Sequence, residues 1–574
     1  MLAQRLARQT FLSAVRYLPI PYRGQDRLPL LPVNASGGFS GLEFFDFVVV
    51  VLYVLVTLGI VYRASRRQHD TDDFFLGNRR LPWMAVGLSI MATLLSSLTY
   101  LGLTGEIVKN GIAGFMTQAA ILPAAPLVIF LFIPFFMRLR FTSAYEYLEH
   151  RFDVRARLLG GGLFFLLRLG WVSLVMYSGA LALHKMGGWN FYWTIATLGI
   201  AATLYTYYGG LEGVVWTDVL QALMLFGGAA AIVLYVWLDT GSGPLVWWQV
   251  AGEHSAAHKQ AVWFSFDPTV RITLGTALIS GFFWQICTHC SDQVVLQRYA
   301  STPSLAAARN SYITNLVALL SITSLLGVSG LALLYYYLQH PDRLPSGATP
   351  TSVGDALMPH FYATQLPLGF GGLILANFLC DAMQTLVSGV NSITAVATQD
   401  VLQHSQVAKA GVANRLGLAR KLTVFLGSLT TLIALGVAWV ANASGRNIFD
   451  LMPKTFNMFI GPLGALFLIG MFLPRATGRT ATPAVLGAMA VSIVWNYWKE
   501  ILSIPFVWQF AKSYCNAPFD LSIMWSYGIA CVSGVLFAVI FSLLFEIGGD
   551  HPGRRYTWWA IMQRPLPEQN APKS

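Results

Sequence analysis

Charge is what this sequence has least of. Only 11% of its 574 residues are Asp, Glu, Lys or Arg, against roughly 25% for a soluble globular chain. That shortage excludes a soluble enzyme, a disordered scaffold or a nucleic-acid binder. Cysteine is scarce too: Cys287, Cys290, Cys380, Cys515 and Cys531 are all there are, too few for a disulfide scaffold. No P-loop occurs, so no ATP-driven motor is written in the chain. No paired catalytic residues stand at one membrane face, and the chain is not read as an enzyme. Cys287-Thr-His-Cys290 has the look of a metal site but lacks a second pair to complete four ligands. Neither a transition metal nor an organic cofactor is expected.

Apolar length is what the chain has in excess. Hydrophobic residues make up 55%, and the mean hydropathy is +0.57. A spanning helix needs about 20 mostly apolar residues. Thirteen such segments can be marked, from 44–62 to 521–546, including 83–103 (the second), 272–291 (the seventh) and 367–396 (the ninth). The fold class is therefore an all-α polytopic membrane protein. Residues 1–42 form a basic arm, 43–546 the transmembrane domain and 547–574 a short tail. Lys and Arg favour cytoplasmic loops. Twenty-two fall in one set of loops and eight in the other, which puts the N-terminus outside and the C-terminus inside. The net charge of +11 reports this topology, not a nucleic-acid partner.

Ionisable residues inside spans are costly and usually face a cavity. They are Glu106, Arg168, Asp218, His289, Asp292, Asp381 and Lys454. Asp381, Gln384, Thr385 and Ser388 follow i, i+3, i+4, i+7, which places them on one helix face. Such a stripe reads as an ion pathway or as an internal helix–helix hydrogen-bond seam. The second span is the least continuous. Its Ser89, Thr93, Ser96, Ser97, Thr99, Gly102 and Gly105 weaken a regular helix and supply oxygens for a cation.

Five blocks then stand in order: Asp73-Phe-Phe-Leu-Gly-Asn-Arg-Arg-Leu-Pro82, Thr142-Ser-Ala-Tyr-Glu-Tyr-Leu-Glu-His-Arg-Phe152, Tyr205-Thr-Tyr-Tyr-Gly-Gly-Leu-Glu-Gly-Val-Val-Trp-Thr-Asp218-Val-Leu-Gln221, Ser291-Asp-Gln-Val-Val-Leu-Gln-Arg-Tyr299 and Val390-Asn-Ser-Ile-Thr-Ala-Val-Ala-Thr-Gln-Asp400. With them the chain resembles the sodium/solute symporter family over about residues 43–545. The resemblance implies a leucine-transporter-type fold of two inverted five-helix repeats, about 83–238 and 272–473, with spans two and seven discontinuous. It implies Na⁺ held by the carbonyls of Ala92 and Leu95 and by Asp381, Gln384 and Thr385. Gln384 stands where the family usually has serine, and Asp381 adds a carboxylate. Ser96 and Asp218 match positions on the ion path. Thr99, Gln285, Thr288 and His289 match the solute pocket.

The implied function is sodium-coupled secondary active symport of a small polar or anionic organic solute, carboxylate- or vitamin-like. The motifs are nearer the iodide/monocarboxylate/multivitamin branch than the glucose branch. A sugar or polyol solute, or proton coupling, stays open, and a passive channel is the remotest alternative. The implied partners are the solute, Na⁺ and the lipid bilayer of a cell membrane. The short loops look like those of a bacterial inner-membrane protein.

Overall fold

The computed structural model describes residues 44–95, 97–139, 141–187, 189–254, 262–345, 347–365, 370–404, 412–444, 448–513, 517–546 and 551–566. The basic arm over 1–42 and Ser96 lie outside them. Most of the described residues are helical and none lies in a strand.

α1 (Phe44–Ser65) exposes Val51, Leu52, Leu55 and Leu58, as a lipid-facing helix does. α2 (Thr71–Leu76) is short. The Asp70 carboxylate caps it by accepting the Asp73 N–H at 2.7 Å. Phe74, Phe75 and Leu76 are buried against Ala395, Leu416 and Ala419. The chain then turns through Gly77, Asn78 and Arg79, all with left-handed φ of 52–56°.

α3 (Trp83–Leu94) stops at Leu95, which is extended at φ −91°, ψ 104°. The chain resumes as α4 (Ser97–Asn110), bent by 59° relative to α3. The break falls where the small hydroxyl residues predict it. α5 (Ile112–Leu139) is segmented and includes a π-helical stretch at Val128–Phe132. α6 (Glu146–Arg151) and α7 (Val154–Gly187) follow.

α8 (Phe191–Thr240) runs for 50 residues but turns sharply at Gly210, where φ is 52° and ψ −163°. The Tyr205 hydroxyl donates to the Gly213 carbonyl at 3.2 Å. In a straight helix residues 205 and 213 would sit about 12 Å apart along the axis, so the predicted spans 189–208 and 214–238 meet at a corner with no loop.

α9 (Pro244–His254) precedes α10 (Leu274–Ser291) and α11 (Gln293–Ala300), which are separated at Asp292 (φ −82°, ψ 115°). The seventh span is thus broken as well. α12 (Leu305–Gln339), α13 (Gly354–Gln365), α14 (Phe370–His404), α15 (Val412–Ser444), α16 (Ile448–Phe472), α17 (Gly478–Asn496) and α18 (Ser526–Phe545) complete the bundle. α19 (Trp558–Met562) lies in the tail.

Among the described residues, seven helices are long and apolar enough to cross a membrane, or eight if the bent α3–α4 pair is one span. The number is below thirteen partly because α8 merges two predicted spans. The broken seventh span also divides into pieces that do not qualify: α10 has 18 residues but is made too polar by Gln285, Thr288 and His289, and α11 has only 8.

Candidate functional site: two broken helices around a buried polar centre

The end of α3 meets the polar face of α14. Gln384, Thr385 and Ser388 are all buried. Gln384 Nε2 donates to the Leu95 carbonyl at 3.1 Å, so the amide turns its N–H, not its oxygen, to that carbonyl. Thr385 Oγ1 is buried with no hydrogen-bond partner among the described residues. Ala92 is buried one turn before the break. Asp381 lies within α14, but its side chain is outside the described residues.

One turn earlier on α3 stands a buried ion network that the sequence reading did not foresee. Arg298 counts as a loop cation by hydropathy, yet its side chain is fully buried. Its Nη2 donates to Asp218 Oδ2 at 3.0 Å, to Thr93 Oγ1 at 2.7 Å and to Ser388 Oγ at 2.7 Å. Its Nε donates to Ser89 Oγ at 2.7 Å and its Nη1 to the Val294 carbonyl at 2.9 Å. Arg298 therefore ties α3, α8, α11 and α14 together. Asp218 is a fully buried member of this pair and not a span-end cap. Its Oδ1 has no partner among the described residues. Arg151 and Arg157, also counted in loops, are buried as well.

The second break is pinned by a different pair. Asp292 accepts the Val294 N–H at 3.0 Å, capping α11, and ion-pairs with buried Arg168 of α7. Removing one partner of such a pair leaves an uncompensated charge and is strongly destabilising. α11 is held from the other side by Gln297, whose Nε2 donates to the Phe75 carbonyl at 2.7 Å and to Asn391 Oδ1 at 2.9 Å.

Gln285, Thr288 and His289 occupy the last turns of α10, fully buried and on one face by their i, i+3, i+4 spacing. His289 Nδ1 is 2.6 Å from the Tyr299 hydroxyl, and its ring meets Tyr312 edge-on at 5.0 Å. His289 Nε2, Thr288 Oγ1 and both amide atoms of Gln285 have no partner among the described residues. Tyr312 Oη and both amide atoms of Asn315, one turn further along α12, are also unpartnered. Each buried polar atom left unpaired costs about 1–3 kcal/mol, so this concentration marks a candidate site for a polar guest. Tyr312 and Asn315 escaped the sequence reading, although a polar i, i+3 pair inside an apolar span was a usable signal. Thr99 is partly exposed in α4, and no hydrogen bond or ring contact among the described residues joins it to the other three.

His289 faces the tyrosines, whereas Cys290 Sγ points to the carbonyls of Cys287 and Gly464. The Cys-Thr-His-Cys run therefore does not converge on one point. Among the described residues no group of three His, Cys, Asp or Glu could hold a metal ion.

Two discontinuous helices meeting over buried, unpartnered polar groups define a multi-pass secondary transporter. The model of the Sodium:solute symporter family matches residues 74–494, and the chain belongs to that family. It is 30% identical over 461 residues to the sodium/sialic acid symporter SiaT of Proteus mirabilis, covering 80% of this chain and 90% of that protein. It is 30% identical over 470 residues to the sodium-dependent multivitamin transporter of Oryctolagus cuniculus, covering 81% and 71%. A solved substrate-bound, outward-open Na⁺-coupled sialic acid symporter superposes with a TM-score of 0.74 at 28% identity, covering 88% of this chain and 98% of that one. The chain is accordingly a sodium-coupled symporter and not an enzyme.

Proposed function

We propose that this chain imports a small polar or anionic organic solute, carboxylate- or vitamin-like, together with Na⁺ by alternating access. Sialic acid, monocarboxylates and vitamins are carried by relatives at 29–30% identity, which supports the class without choosing a member. In this reading thirteen spans cross a cell membrane, that of a bacterial inner membrane, with the N-terminus outside and the C-terminus inside. The unequal distribution of Lys and Arg supports that orientation. The repeats would run over about 83–238 and 272–473.

Na⁺ would bind the carbonyls of Ala92 and Leu95 with Thr385, Gln384 and Asp381; Ser96 and Asp218 would line its path. Hard oxygen donors suit a hard cation. The observation that carries this assignment is the close approach of the α3 break to α14: Gln384 reaches Leu95, and the hydroxyl of neighbouring Thr385 is buried and unpartnered. The solute would lie against Gln285, Thr288 and His289, with Thr99 closing from α4. Ion and solute would then favour the same closed state, which is what coupling requires. A membrane potential adds about 2.3 kcal/mol per charge per 100 mV.

The test is uptake into proteoliposomes under imposed Na⁺, H⁺ or no gradient, across a panel of small carboxylates, vitamins and sugars. Concentrative uptake of an anionic solute only with inward Na⁺ is expected. Uptake unchanged by removing Na⁺ would sink the coupling. Asp381→Asn is expected to weaken apparent Na⁺ affinity more than solute affinity at saturating Na⁺.

A further inference from the structure

The tail folds back onto the end of α5 and brings arginines of three chain segments together. Trp558 Nε1 donates to the Leu131 carbonyl at 3.1 Å, and its ring packs on Phe472 at 6.2 Å. Arg138 Nε donates to the Arg564 carbonyl at 3.1 Å, and its Nη1 to the Pro134 carbonyl at 3.1 Å. Arg309 of α12 donates Nε to the Ile129 carbonyl at 3.2 Å and lies over the Phe130 ring. Arg564 Nη2 donates to the Arg555 carbonyl at 2.7 Å. Both of these guanidiniums stand over the ring of Tyr556, at 5.1 and 5.6 Å.

Two observations set this seam apart. The first is its missing counter-charge. Five arginines elsewhere are matched by carboxylates: Arg67 by Glu212, Arg157 by Glu149, Arg168 by Asp292, Arg271 by Glu106 and Arg298 by Asp218. Here four from three chain segments gather, and among the described residues no carboxylate pairs with Arg138, Arg309, Arg555 or Arg564. Their partners among the described residues are carbonyls and ring faces, and each guanidinium has five N–H donors, so donors are left for an anion. The second is the apolar collar around it. Phe130 is 60% exposed, Trp559 55% and Leu566 45%. A free anion gains nothing from such a collar, whereas a phospholipid presents a phosphate beside acyl chains. Trp is also enriched at membrane–water interfaces.

We propose that this seam binds the phosphate of an anionic phospholipid in the leaflet it faces, with Arg138, Arg309, Arg555 and Arg564 as the cationic cradle and Trp559 and Phe130 against the chains. That the leaflet is cytoplasmic rests on the orientation proposed above. Basic pockets at the cytoplasmic ends of transmembrane helices recognise anionic headgroups by this chemistry.

The experiment uses the full chain in mixed-lipid nanodiscs. It measures retained phosphatidylglycerol against phosphatidylcholine by native mass spectrometry, with glycerol phosphate as soluble competitor. Each neutralised arginine should weaken phosphatidylglycerol retention roughly fivefold. The double variant Arg138→Gln/Arg564→Gln is expected to lose the preference, and Arg138→Lys/Arg564→Lys to keep most of it. A glutamine variant with the parent's preference would overturn the proposal, as would a lysine variant that lost it. Full displacement by glycerol phosphate would overturn the lipid assignment in favour of a soluble anion. Na⁺-dependent uptake, read on the same variants in phosphatidylcholine liposomes, separates failure of this site from failure of sodium coupling. Labelling Gln563→Cys with an impermeant thiol reagent tests the leaflet on its own; labelling from outside would overturn the cytoplasmic placement.

Discussion

Gln384 donates a side-chain N–H to the Leu95 carbonyl at 3.1 Å, across the gap where α3 breaks and α14 passes. The family usually places a hydroxyl at this position. In the proposed sodium site this amide engages an oxygen assigned to the coupling ion, so the ion would have to displace an internal hydrogen bond before the Gln384 oxygen could turn to it.

Gln384→Ser should therefore free the Leu95 carbonyl. One neutral hydrogen bond is worth about 1 kcal/mol, so the Na⁺ concentration for half-maximal uptake is expected to fall about fivefold. A Na⁺ titration of uptake reads this directly. A half-saturation that rises would show that the Gln384 oxygen holds the ion better than a hydroxyl does, and that its hydrogen bond to Leu95 does not oppose ion binding.

Arg298 holds Asp218, Thr93, Ser89 and Ser388 in one buried network. Arg298→Ala leaves the Asp218 charge unpaired and should cost about 3–5 kcal/mol. Arg298→Ala/Asp218→Asn removes both charges and should recover most of that loss. Thermal unfolding of both variants in detergent decides it. Equal loss in single and double variants would show that the ion pair is not what holds the four helices.

Asn315 and His289 carry buried atoms that have no partner among the described residues. If those atoms await solute, Asn315→Leu should lower solute affinity without lowering the thermal midpoint of the unliganded protein. His289→Ala should shift selectivity across the solute panel. Unchanged transport, with a lower midpoint, would return both residues to a structural role.

Gly210 has φ of +52°, and an added Cβ would sit 2.9 Å from the Phe74 carbonyl and 2.9 Å from Gln68 Nε2. Gly210→Ala should destabilise by at least 1–2 kcal/mol for the left-handed backbone alone, with more from the contact. A lowered thermal midpoint checks it.

The helical membrane fold and the first break were legible because apolar length and hydroxyl-rich interruptions are local signals; the second break, at Asp292, was expected only from the family resemblance. Asp381, Gln384, Thr385 and Ser388 could be grouped by helical period alone. Arg298 could not. It follows a break at Asp292, in a helix of 8 residues carrying Gln293 and Gln297, and a hydropathy window reads such a piece as loop. Its burial depends on α3, α8 and α14 arriving from more than 70 residues away. Tyr312 and Asn315 were missed for a related reason: their importance lies in lacking partners, and only the assembled bundle reveals that. The N–H face that Gln384 shows to Leu95 is likewise a choice made by packing.

The corner at Gly210 has a mechanical consequence. The two arms of α8 are joined by a single residue and tied across the corner from Tyr205 to Gly213. The connection has no slack, so the arms swing as one rigid elbow. Motion that exposes Asp218 to one side of the membrane must then come from α3, α11 or α14 sliding past that elbow. An epitope tag or spacer inserted at the corner would uncouple the arms, whereas the same insertion in a longer connection would only add length.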